Sequence, residues 1–185
     1  MVSPALIVAL RHLSRINETL SEAGRTLAGL LLILMLGSVM LQVFYRYVLN
    51  DSLVWTEEFS KAMMVWSAFL VAPFALRRGS NVVIAMLVLP LSARLQALIR
   101  LAIDLAIIAV LIAFLNESFG FIARGRVIMA ASVDLPMAVF YAIVPVGLAA
   151  LLLTAFELMI RDLLTIEKPD GRYLLPAISP IREGE

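Results

Sequence analysis

The chain has no cysteine and a single histidine, His12. Without thiols there is no disulfide, no thiolate metal site and no cysteine nucleophile. One histidine, outside every long apolar run, leaves no imidazole cluster for a metal and no histidine relay within one chain. Charge is scarce as well: 16% of the 185 residues, 15 basic against 14 acidic, for a net charge of +1. A nucleic-acid binder carries a basic stripe, and this sequence has none. There is no GxSxG, no HExxH and no glycine-rich phosphate loop following a strand, so no enzyme signature and no cofactor-binding motif appear.

What the chain has in excess is apolar side chains, 62% of residues, with a mean hydropathy of +0.98. A soluble domain holds about 45–50%, and a larger core does not account for the difference. The excess belongs to segments dissolved in lipid. The fold class is therefore an all-α integral membrane protein. Four charge-poor runs of membrane length predict transmembrane helices at about 26–48, 55–77, 94–122 and 133–160. They make one membrane domain over residues 1–165, followed by an irregular cytoplasmic tail at 166–185.

Ahead of the first span, residues 5–22 place Leu6, Leu10, Leu13, Ile16 and Leu20 on one broad helical face, with Arg11, Arg15 and Glu18 away from it. This pattern predicts an amphipathic helix lying in the membrane interface. The apolar run at 82–91 includes Pro90 and is too short to span, so it is expected at the interface or packed on other helices. Arg77-Arg78-Gly79 reads as a stop signal with a glycine C-cap. Pro73 and Pro136 fall near span ends, where proline is tolerated, whereas Pro145 is expected to kink the middle of the last span. Eleven basic residues fall on the side holding both termini and four on the other, so both termini are expected in the cytoplasm.

The densest polar feature inside a span is the stretch Trp55-Thr56-Glu57-Glu58 with Lys61. Charge within a membrane-length segment is costly and marks a contact. Successive helical residues point about 100° apart, so Glu57 and Glu58 do not share a face and are poorly arranged as an acid–base dyad. One is expected to pair within the chain, through Lys61 at i+4, while the other reaches outward. Arg46 is placed to pair with either across the short loop. Trp55 reads as an interfacial anchor and Trp66, three turns deeper, as a packing residue. Arg100 and Asp104 stand at i, i+4 and are expected to pair; Glu117 and Glu157 are expected at the interfaces.

Together these residues resemble the small membrane subunit of tripartite ATP-independent periplasmic (TRAP) transporters. The resemblance rests on Arg46-Tyr47-Val48, Trp55-Thr56-Glu57-Glu58, Trp66, Phe69-Leu70 and Ala75-Leu76-Arg77-Arg78-Gly79. A second patch comprises Leu135-Pro136, Tyr141 and Pro145-Val146-Gly147. Where the family usually has a histidine and, four positions on, an acidic residue, this chain has Asn81 and Ala85. Val71 and Pro73 replace smaller residues. The resemblance implies a scaffold subunit in the bilayer that supports a large permease subunit and works with a periplasmic substrate-binding protein. Such transporters import organic acids on an ion gradient, and substrate and ion sites would lie on the large subunit. Arg46, Trp55, Glu57, Glu58, Trp66, Arg78, Asn81 and Pro145 would then be packing or docking residues. The residues alone leave room for a self-sufficient four-helix channel, an intramembrane enzyme using Asp104 or Glu117, or an assembly factor.

The orientation is tested by single cysteines introduced at Asp51 and Arg78 of this cysteine-free chain. An impermeant thiol reagent added from outside is expected to label the first and spare the second; the reverse pattern overturns the topology.

Overall fold

A computed structural model describes residues 4–51, 53–88 and 93–167. The described residues are helical, with no strand beyond an isolated bridge between Met129 and Pro136. The elements are α1 (Pro4–Phe44), α2 (Val54–Val88), α3 (Ala93–Gly125), the short α4 (Met137–Tyr141) and α5 (Ile143–Glu167). Among the described residues, four segments are long and apolar enough to cross a bilayer: Leu10–Leu49, Val54–Arg78, Leu98–Gly125 and Met137–Leu164. The chain is a multi-pass membrane protein of four spans.

Proline suits the first turn of a helix, and Pro4 opens α1. The helix then runs 41 residues without interruption, so the expected amphipathic segment and the first span are one element rather than two. Nothing between them breaks a helix except Gly24, and Gly24 is where α1 meets α2. A Cβ there would lie 2.5 Å from the Leu70 carbonyl oxygen. At about 1.5 Å per residue, α1 is about 60 Å long, roughly twice a hydrocarbon core of about 30 Å. It ends in a π-helical turn, Tyr45–Leu49, closed by Asn50 in the left-handed region (φ 50°). Asparagine tolerates that conformation better than most residues, and the N–H groups of Asn50 and Asp51 both donate to the Tyr45 carbonyl.

The buried face of α1 differs from the one its leucines suggest. Leu10, Asn17, Ser21, Gly24 and Ala28 are buried, with Ser14 half-buried in the same row, a spacing of three and four residues. Ile16 and Leu20, on the apolar face expected to meet the membrane, are about half exposed and do not pack inside the bundle. In lipid the packing advantage belongs to small and hydrogen-bonding residues that let backbones approach, while large apolar groups are equally content facing acyl chains. Farther along α1, Ile33 and Met40 are 68% and 74% exposed, consistent with a lipid- or partner-facing surface.

Helix α2 passes through Pro73, which is buried, and continues to Val88. Gly79 therefore does not cap it, and the part of the 82–91 run up to Val88 is a continuation of the helix. Pro90 lies outside the described residues, as do residues 168–185 of the expected tail. Pro145 acts at the start of the last span rather than its middle. It has no N–H for the Tyr141 carbonyl and its ring crowds that group, and the helix is interrupted at Ala142, between α4 and α5.

Helix α1 packs chiefly on α2, and α3 on α5; the contact between α2 and α5 joins the two pairs. The centre of the α3–α5 seam is apolar, with Ile108, Leu152 and Ala155 buried among Leu76, Ile107, Leu111, Leu115 and Met159. At the α2–α5 crossing, a Cβ on Gly147 would lie 2.7 Å from the Phe69 Cβ.

Both close approaches are testable. Gly24→Ala and Gly147→Ala are each expected to destabilise by about 1–3 kcal/mol through overpacking. Gly37→Ala, with nothing within 4 Å of the new methyl, is expected to be neutral or stabilising by up to about 1 kcal/mol. Thermal denaturation of the three variants in one detergent measures the difference.

Candidate functional site

One rim of the bundle, expected on the outer side, is organised by the start of α2. Thr56 is fully buried, and its hydroxyl donates to the Leu53 carbonyl at 2.6 Å, fixing the first turn. That places Glu57 and Glu58 on different faces. Glu57 is exposed and accepts from Lys61 Nζ at 2.6 Å. Glu58 turns instead to the segment joining α3 to α4. It accepts from the backbone N–H of Ala131 at 2.7 Å, from that of Ser132 at 3.2 Å, and from the Ser132 hydroxyl. A carboxylate taking several N–H and O–H donors is a strong, charge-assisted latch. It holds a segment that also bonds to itself, Ala130 N–H to Leu135 O and Met137 N–H to Ile128 O.

The other residues of this rim surround the latch. Trp66 Nε1 donates to the Phe140 carbonyl at 3.1 Å, tying α2 to α4. Trp55 is 42% exposed and meets Phe59 edge-on. Arg46 lies exposed in the π-helical turn and makes no ion pair with Glu57 or Glu58, contrary to the expected closure; both carboxylates are taken up within α2 and by the 131–132 segment. Between α2 and α4 is an apolar cavity of about 270 Å³ lined by Ala62, Val65, Met137, Phe140 and Tyr141, with Glu58 and Lys61 at its edge.

The second centre lies at the opposite, arginine-rich end, around Glu157 of α5. Its side chain has no solvent exposure. It accepts from Asn17 Nδ2 of α1 at 2.8 Å, from Arg77 Nη2 of α2 at 3.2 Å, and from Arg161 Nε and Nη2 at 3.0 and 2.8 Å. Both arginines also donate to the Ser14 hydroxyl, and Asn17 reaches the Leu153 carbonyl. Glu157 is thus the common partner of three helices rather than an interfacial residue. Arg77, read as part of a stop signal, is one of its ligands. Arg78 faces outward over the Phe74 ring at 4.5 Å, and Arg25 stacks on the same ring at 5.1 Å. The side chain of Asn81 lies outside the described residues.

On α3, Arg100 pairs with Asp162 of α5, Nε to Oδ1 at 3.4 Å, and not with Asp104 one turn away. An interhelical partner serves a buried guanidinium better than a neighbour on its own helix, because it also joins the two helices. Pro145 is half-buried and positions the chain for Gly147 against Phe69. The structure therefore brings together Glu58, Trp66 and the loop, and separately Arg77, Glu157 and α1. It does not bring Arg46 to the carboxylates.

Sequence reasoning missed Asn17, Ser14, Glu157 and Asp162 as network members. The available signal was the row of small and polar residues on α1 at three- and four-residue spacing.

Glu157→Gln leaves two half-buried guanidinium groups without their fully buried carboxylate and is expected to destabilise by about 2–4 kcal/mol. Glu57→Gln, in an exposed pair, is expected to change stability by less than about 1 kcal/mol. Thermal unfolding ranks the two. Glu58→Ala is expected to speed amide hydrogen exchange at Ala131 and Ser132 selectively; unchanged exchange there overturns the latch.

Compared with known families, residues 35–165 match the family described as tripartite ATP-independent periplasmic transporters, DctQ component. Among curated proteins compared by sequence, none matches. The matched range is 131 of the 185 residues and holds the Glu58 latch, Phe69 against Gly147, and Arg77 with Glu157. The chain belongs to the DctQ component family, the small membrane component of TRAP transporters.

Proposed function

We propose that the chain is a scaffold subunit of a secondary transporter that imports organic acids such as dicarboxylates, keto acids or sugar acids. In this reading a periplasmic binding protein captures the substrate, and a large permease subunit carries it inward on an ion gradient. The small subunit sits in the bacterial inner membrane with both termini in the cytoplasm. It packs on the large subunit and holds that subunit's static part in place, and it performs no catalysis.

The destination of the charges within the spans carries this reading. Glu157 with Arg77 and Arg161, and Arg100 with Asp162, join helices of this chain to one another. Glu58 holds a loop. The cavity of about 150 Å³ between α1, α2 and α5 is walled mainly by apolar carbon from Leu20, Leu27, Phe69, Leu70 and Val146. These groups build a frame rather than a path. The apolar outer half of α1 supplies surface for lipid and for a larger partner.

Co-expressed with the large permease subunit, the chain is expected to co-purify with it. Reconstituted alone into liposomes with the binding protein, it is expected to give no substrate uptake. Uptake by the isolated chain overturns the proposal.

A further inference from the structure

The cavity of about 150 Å³ between α1, α2 and α5 lies next to the Glu157 network, toward the middle of the spans. Pro73 and Thr154, both on its wall, stand about one helical turn before Arg77 and Glu157. Most of the wall is carbon, but Asn17 and Ser21 of α1 and Thr154 of α5 bring polar groups to it.

Ser21 is 4% exposed, and its hydroxyl has no hydrogen-bond partner among the described residues. On the same helix Thr19 and Thr26 donate to the carbonyl four residues back, those of Arg15 and Glu22. The Ser21 hydroxyl makes no such bond, although it is shut off from solvent on the cavity wall. A buried donor without an acceptor is costly. Pro73 creates the opposite shortage. It is buried inside α2 and has no N–H for the carbonyl of Phe69, four residues back. Phe69 and Pro73 line the same cavity as Ser21. A donor lacking an acceptor and an acceptor lacking its helical donor thus border one space. Within a membrane, backbone groups freed by proline are satisfied by neighbouring hydroxyls or by ordered water.

Water meets both needs, accepting from the hydroxyl and donating to the carbonyl. Its share of liquid volume is about 30 Å³, so the cavity has room for it, and an internal water typically makes about three hydrogen bonds. Its second hydrogen finds acceptors on the same wall. Thr154 spends its own proton on the Ala150 carbonyl. Asn17 spends its amide hydrogens on the Leu153 carbonyl and Glu157, which leaves its amide oxygen as an acceptor. A cation matches less well, because these groups are neutral and a cation offers the Ser21 hydroxyl no acceptor.

We propose that this cavity is an internal hydration site, in which water bridges the Ser21 hydroxyl of α1 to the Phe69 carbonyl that Pro73 releases on α2. The water joins the two helices where the proline interrupts the backbone ladder.

Water-edited solid-state NMR of the isotope-labelled full chain in lipid bilayers tests this. Magnetisation from water is expected to reach Ser21 and the Phe69 carbonyl at least about threefold faster than Ile108 and Leu152 of the apolar seam. Ser21→Val is expected to slow transfer to the Phe69 carbonyl to the Ile108 rate. Wild-type transfer to Ser21 as slow as to Ile108 means a dry cavity and overturns the proposal. So does transfer to the Phe69 carbonyl that Ser21→Val leaves unchanged. Exchange of potassium for sodium at constant ionic strength is expected to move neither resonance; a sodium-dependent shift at Ser21 gives the site to a cation and overturns the water. If Ser21→Val does not fold, the wild-type rates and the sodium comparison decide.

Discussion

The arrangement of this bundle depends on a carboxylate that has no access to water. Glu157 costs a great deal to bury alone, and each group that offsets the cost comes from a different place in the chain: Asn17 from α1, Arg77 from α2, Arg161 from its own helix. The helices are thus tied in one register. Moving α1 or α2 away from α5 strips a ligand from a charge that cannot be rehydrated. Two guanidinium groups around one carboxylate also leave this cluster with a surplus positive charge.

Around this tie the packing follows the rules of lipid rather than of water. Leucine and isoleucine gain little by turning inward when the solvent is itself apolar. The inward row of α1 is Leu10, Asn17, Ser21, Gly24 and Ala28, while Ile16, Leu20 and the leucines of its outer half face out. Small residues set how closely backbones meet, and polar ones supply hydrogen bonds with few competitors.

That inversion explains what was legible in the sequence and what was not. Four spans were readable because length and hydropathy respond to membrane thickness alone. The Trp55–Glu58 motif was readable because charge within a span stands out. The different orientations of Glu57 and Glu58 followed from the helical repeat. The partners did not follow: Glu58 meets residues more than seventy positions away and Glu157 meets Asn17 across 140, and no local spacing encodes such pairings. The amphipathic reading of residues 5–22 named a face suited to the membrane, and apart from Leu10 it did not reveal the small and polar row that packs inside the bundle. Arg100 was given the wrong partner because a pair at i, i+4 is visible in sequence and a pair across helices is not. The π-helical turn at Tyr45–Leu49 left no mark that composition or periodicity reports.

The contact of Phe69 with Gly147 has a consequence for how such chains change over time. The two residues stand in separate stretches of sequence, yet the ring occupies the space a side chain at 147 would need. They form one inherited unit. A larger residue at 147 is tolerable only alongside a smaller one at 69, and a chimaera of two relatives joined anywhere between them receives one half of the fit from each parent. In this chain a change at either position is therefore felt at the other.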